Sequence, residues 1–114
     1  MLGTNFIDTN FNNVCIKESI CDYLNFSKVD FKNICFIDTS FVKSNIYDCK
    51  FKNIEFIDIN LTDSYIVNSK LKGVDISKVN INNIKTDINC IKGSIIDYTQ
   101  IINLITLLDV KIKE

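Results

Sequence analysis

A chain of 114 residues holds one domain or one repeat array, and its net charge of −1 provides no bulk attraction to nucleic acid or membrane. Histidine and tryptophan are absent, and five cysteines without a CxxC pair argue for reduced thiols rather than a disulfide framework or a zinc site. No apolar run approaches a membrane span, and the N-terminus lacks the basic-then-apolar profile of a signal peptide, so a cytoplasmic location is the default expectation.

From Phe6 onward neither a helical period nor plain alternation holds, and a period of five does. Stepping by five gives Phe6, Phe11, Ile16, Cys21, Phe26, Phe31, Phe36, Phe41, Ile46, Phe51, Phe56, Leu61, Ile66, Leu71, Ile76, Ile81, Thr86, Ile91, Ile96 and Ile101. All eight phenylalanines fall in this register, which random placement would achieve with a probability of roughly 10⁻⁵. Two residues earlier in each unit runs a second column of small, hydroxylated or aliphatic residues, such as Thr4, Ser19, Ser44, Cys49, Ser64 and Ser69. The position between the columns is often Asn or Asp, as at Asn5, Asn25, Asp30 and Asn45. Residues two apart on a strand share a face, so both columns point inward.

This unit of a small residue, Asn or Asp, a central Phe or Leu and two variable residues resembles the pentapeptide-repeat family over about nine-tenths of the chain. The resemblance implies an all-β fold: a right-handed quadrilateral parallel β-helix (solenoid) of about five coils, four units of five residues making each square coil. The repeat array is expected over residues 1–101, with a short C-terminal capping helix and tail over 102–114. Stacked phenylalanines should fill the interior and leave no lumen for a ligand. Bulky Leu24, Ile34, Ile54, Ile59 and Ile84 stand in the small-residue column and should widen the coil or change the turn. Thr86 is the weakest central residue, so a bulge is expected near Ile84 to Ile88.

A 20-residue coil assigns each outward residue to a wall. One wall should carry Lys32, Lys50, Lys52, Lys70, Lys72 and Lys92, opposed by Asp30. The next should carry Glu18, Asp38, Glu55, Asp58, Asp75 and Asp97, against Lys17 and Lys78. The other two are near neutral. The corners after the basic wall, Asn13, Asn33, Asn53, Gly73 and Gly93, suit the left-handed position of a type II turn. Cys15 and Cys35, 20 apart, should stack facing outward as free thiols.

At the C-terminal end, residues 98–108 form an apolar stretch suited to a short helix, and Val110-Lys111-Ile112-Lys113 alternates as a strand does. Asp97-Tyr98-Thr99-Gln100, followed by that stretch, is similar to the ending of the quinolone-resistance branch of the family, whose members dimerise through this end and act as DNA mimics that bind DNA gyrase. Asp109 stands where that pattern has glycine. The resemblance implies a homodimer through Leu104, Leu107, Leu108, Val110 and Ile112, in a C2 arrangement. The alternative is that these residues fold back over the last coil.

No serine has a base other than lysine to activate it, and no glycine-rich phosphate loop is present. Neither catalysis, nor a cofactor, nor a metal is expected. The reading is a non-enzymatic interaction scaffold of unassigned protein partner. The alternatives are a gyrase-binding DNA mimic and an anion- or nucleic-acid-binding lysine wall. A lysine ladder without arginine or interleaved aromatics argues against nucleic acid.

Overall fold

The computed structural model describes residues 4–107, the side chains of Thr106 and Leu107 excepted. Its strands are β1 (Asn5–Ile7), β2 (Asn10–Lys17), β3 (Asn25–Ser27), β4 (Asp30–Ser40), β5 (Asn45–Tyr47), β6 (Lys50–Asn60), β7 (Tyr65–Val67) and β8 (Val79–Asn80). They form two four-stranded sheets, ordered β1-β3-β5-β7 and β2-β4-β6-β8. All pairings are parallel and join residues 20 apart, as Phe6 to Phe26, Phe31 to Phe51 and Ile59 to Val79. Each strand therefore lies on its own successor one coil later, and the chain is a parallel β-solenoid of about 4 turns.

The expected fifth coil exists as chain but not as strand. Two helical turns interrupt it, α1 (Ile88–Ile91) and a 3-10 turn at Tyr98–Gln100 that runs into α2 (Ile101–Leu107). Only single bridges, such as Tyr65 to Lys85 and Asp75 to Ile95, continue the ladders there. Instead of a bulge near Thr86, Asp87 caps α1 by accepting from the Cys90 N–H at 3.1 Å. The turn rotates Asn89 outward and buries Cys90, and the 20-residue register then resumes at the Asp75–Ile95 bridge, with Ile76 N–H on the Ile95 carbonyl at 2.8 Å.

The corners explain the square cross-section. From Asp8 to Gly73 every fifth residue has a positive φ. The expected Asn13, Asn33, Asn53 and Gly73 are among them, and so are Glu18, Tyr23, Lys28 and Lys43; the expected Gly93 has a positive φ as well. Left-handed backbone costs an ordinary L-residue roughly 1–2 kcal/mol, so the coil imposes this conformation on residues that do not favour it. The corner before each bulky inner residue keeps that conformation: φ is 61° at Tyr23, 55° at Asn33 and Asn53, 54° at Asp58 and 53° at Asn83. The bulky residues therefore do not break the register or the left-handed corner.

Inside, the central column stacks. Phe11, Phe31 and Phe51 lie 5.6 and 5.3 Å apart with rings near parallel, and adjoining columns meet edge-on, as Phe36 and Phe41 do at 5.2 Å and 88°. Such ring geometry adds about 0.5–1.5 kcal/mol per pair beyond burial. The small column also serves the backbone. Ser64 Oγ accepts from the Ser44 N–H at 3.1 Å and donates to the Phe41 carbonyl at 2.7 Å. Ser69 Oγ likewise accepts from the Cys49 N–H at 2.9 Å. The core opens at its first coil. An apolar hollow of about 220 Å³ lies there among residues that include Phe6, Phe11, Val14, Ile16, Cys21 and Leu24. Phe6, Phe11, Val14 and Ile16 are only partly buried, because among the described residues no earlier coil covers them.

Candidate functional site

The two charged walls are halves of one bent sheet. β4 and β6 each run through a corner, at Asn33 and Asn53, without leaving strand. β6 thus places Lys50 and Lys52 before its corner and Glu55 and Asp58 after it. The corner itself is tied between coils, since Asn53 Nδ2 donates to Asn33 Oδ1 at 2.7 Å and Asn33 Nδ2 to Asn12 Oδ1 at 3.3 Å.

All six lysines of the basic wall are exposed. Lys32 lies in register with Lys52, and Lys50 with Asp30. Lower down, a side chain at position 93 would collide with Lys72, whose Cγ stands 2.9 Å from where a Cβ would lie. Gly93 therefore serves both its left-handed φ of 81° and the close passage of the Lys72 stem. Like charges at strand spacing repel by somewhat under about 1 kcal/mol per neighbour in water, so the ladder does not stabilise the fold.

The six acidic residues are also exposed but do not form one array. Glu18, Asp38 and Asp58 follow one another down a corner, each with positive φ, and border a shallow cleft with Ser40 and Asn60. Glu55 and Asp75 are bridged mid-wall. Asp75 Oδ1 accepts from Ser77 Oγ at 2.6 Å and from the Ser77 N–H at 2.9 Å, which holds its carboxyl below the usual range. Asp97 is engaged at the cap, where Thr99 Oγ1 donates to it at 3.2 Å. Asp75 and Asp97 thus bond their own turns, leaving Glu18, Asp38, Asp58 and Glu55 as the acidic surface.

Two features escape a five-residue count. The wall of β5 and β7 bears Tyr47, Tyr65 and Val67, all exposed, with Tyr47 in register with Val67. Lys85 Nζ lies 5.2 Å from the Tyr65 ring centre, and Lys43 Nζ 5.9 Å from that of Tyr23. Only the outward placement of these residues signalled them. Among the described residues no cluster of three or more Cys, Asp or Glu side chains is arranged to hold a metal ion. No helix there is long and apolar enough to cross a membrane.

Of the expected dimer contact, Leu104 on α2 is partly buried and packs on the core, as a cap residue does. Ile101 and Ile102, before it, are exposed at 42% and 69%. The Leu107 side chain, Leu108, Val110 and Ile112 lie outside the described residues.

No protein-family model matches the sequence, and no curated protein matches it. Among solved structures, the chain is similar to QnrB1, a plasmid-mediated fluoroquinolone resistance protein, with a TM-score of 0.60 at 17% identity over 93% of this chain and 46% of that one. It thus spans about half the length of QnrB1. A pentapeptide repeat protein, Rfr23, from the cyanobacterium Cyanothece 51142 aligns over 82% of this chain and 91% of its own, with a TM-score of 0.45 and 13% identity. At such identities the likeness to QnrB1 is one of fold, and it agrees with the five-residue period of this chain.

Proposed function

We propose that the chain is a non-enzymatic pentapeptide-repeat scaffold, cytoplasmic, that binds a protein partner through its charged walls and pairs with a second copy at its C-terminal end. The observation that carries this reading is β6, where one strand holds lysines and carboxylates on opposite sides of a hydrogen-bonded corner. Opposite charges at a fixed angle set partner orientation and reject partners with the wrong charge pattern. Capture from native lysate by two folded variants tests it, one with Lys32, Lys52 and Lys72 changed to Glu, the other with Asp38 and Asp58 changed to Lys. The expected outcome is a bound protein lost with one variant and kept with the other. Identical capture by both variants and the parent would reject the walls as the binding surface.

A second reading, a DNA mimic that binds or protects DNA gyrase, draws support from the fold likeness to QnrB1 and from the cap built by Asp97 and Gln100. The lysine wall and the division of the carboxylates weigh against it, because DNA mimicry needs a continuous negative surface. A supercoiling assay with and without ciprofloxacin decides: neither protection nor inhibition would remove the reading. The lysine wall as an anion or nucleic-acid site predicts duplex binding that weakens with salt, and the absence of a shift at low salt eliminates it.

A further inference from the structure

Cys15 on β2 lies in register with Cys35 on β4, and Cys35 with Glu55 on β6, all facing outward from the acidic wall. Cys35 Sγ donates to Glu55 Oε1 at 3.7 Å. Cys15 is exposed and Cys35 partly so, whereas Cys21, Cys49 and Cys90 are buried in the core. All five thiols are free. Parallel in-register neighbours stand about 4.8 Å apart, within the Cα separation of about 4.4–6.8 Å that a disulfide spans, and an approach of the two Cβ atoms by about 1 Å brings them to the usual disulfide separation of about 3.8 Å. The pair joins the first coil to the second, so closing the bond requires no change in topology.

We propose that Cys15 and Cys35 are a peroxide-responsive thiol pair, with Cys15 taking the oxidant and Cys35 closing a disulfide that staples the first coil to the second. The thiolate of Cys15, the more exposed sulfur, attacks one oxygen of hydrogen peroxide. The O–O bond breaks, hydroxide leaves, and Cys15 becomes a sulfenic acid. Cys35 Sγ then attacks Cys15 Sγ, the S–S bond forms, and the S–OH bond breaks. The departing hydroxide takes the proton of the Cys35 thiol, which in the reduced pair is hydrogen-bonded to Glu55, and leaves as water. Two thiols and one peroxide thus give one disulfide and two waters. The hydrogen bond with Cys15, burial and the charges of Cys15 and Glu55 together push the Cys35 thiol up to about 11, which leaves it protonated at neutral pH in the reduced pair.

Trypsin places each cysteine in its own peptide, Cys15 in residues 1–17 and Cys35 in residues 33–43. The full chain is treated with one equivalent of hydrogen peroxide, blocked with an alkylating agent in acid and digested without reductant. The expected result is a fall from five free thiols to three and a linked peptide of 1–17 with 33–43. Five surviving thiols, a link through any other cysteine, or a sulfinic acid at Cys15 beside a free Cys35 would overturn the proposal. In Cys35→Ser, shown folded by circular dichroism, dimedone should trap the Cys15 sulfenic acid at least about tenfold more than in the parent. Equal trapping in both would remove Cys35 from the resolving role.

Discussion

The side-chain amide of Gln100 donates to the carbonyl of Ile76 at 2.7 Å, reaching across the closing end of the solenoid one coil below. The same nitrogen donates to the Val79 carbonyl at 2.7 Å, while Oε1 accepts from the Asp97 N–H, also at 2.7 Å. One buried side chain thus bonds three backbone groups at an end where, among the described residues, no strand follows to do so. Gln100→Leu keeps the volume but removes the donor to the Val79 carbonyl and leaves the Ile76 carbonyl with only the Val79 N–H at 3.1 Å. Stability should fall by about 2–3 kcal/mol, read as a lower urea midpoint. An unchanged midpoint would mean that α2, rather than Gln100, closes the end.

Thr86 stands in the central column, where its neighbours are aliphatic or aromatic, and its Oγ1 is buried without a hydrogen-bond partner among the described residues. Thr86→Val exchanges that hydroxyl for a methyl group of nearly the same shape. The expected gain is about 1 kcal/mol, a rise of roughly 4–8 °C in Tm for a domain of this size. A lower Tm would show that the hydroxyl has a partner in solution, such as a bound water.

The central column was legible because a period of five leaves its apolar positions in one line, and Phe26, Phe31, Phe36 and Phe41 are all buried where that line puts them. The corners were legible only in part. Asn33 and Gly73 announce a left-handed turn by residue type, but Tyr23 and Lys28 take the same conformation because the coils above and below leave the backbone no other path. The two ends of the lower coil were hidden for a different reason. At Asp87 and Asp97 the local capping chemistry starts a helical turn and moves the inward position from Asn89 to Cys90 and from Thr99 to Gln100. The walls could be assigned by counting, but which carboxylates bond their own turns, as Asp75 does, depends on contacts a count does not contain.

The strain at the corners can be relieved one residue at a time. Lys28 holds φ 55° with its side chain exposed. Asn tolerates that conformation better, since its short polar side chain can bond locally. Lys28→Asn should stabilise the chain by up to about 1 kcal/mol. The same substitution at Lys78, which has no positive φ, should give no such gain. Equal shifts in urea midpoint at the two sites would show that charge, not backbone conformation, is responsible.

Cys35 offers a pH-dependent readout of its wall. Its thiol is pushed up to about 11, first by the Cys15 hydrogen bond, then by burial and by the Cys15 and Glu55 charges. Only the thiolate is alkylated, so the rate of iodoacetamide labelling at Cys35 should keep rising past pH 9 and reach half its maximum near pH 11. Removing either neighbour removes a raising influence, so the midpoint should fall in Cys15→Ala and, by less, in Glu55→Gln. Labelling followed by mass spectrometry of residues 33–43 gives the profile. A midpoint that stays put in both variants would place the cause in burial alone.

The apolar end of the chain tests self-association. Leu104 is turned onto the core, so the exposed side of α2 is formed instead by residues such as Ile101 and Ile102. A solenoid end of this kind removes apolar surface from water most simply by meeting its own copy about a two-fold axis. The proposed pairing includes Leu107 and Leu108 on sequence grounds, so Leu107→Asp with Leu108→Asp would bring carboxylates into it, and a buried unpaired carboxylate costs several kcal/mol, enough to dissociate a dimer of ordinary affinity. Light scattering should report the dimer mass for the parent and the monomer mass for the double variant, with circular dichroism unchanged. Ile102→Asp should act in the same direction if the contact extends along α2. A parent already at the monomer mass across the accessible concentrations would assign these leucines to covering the last coil.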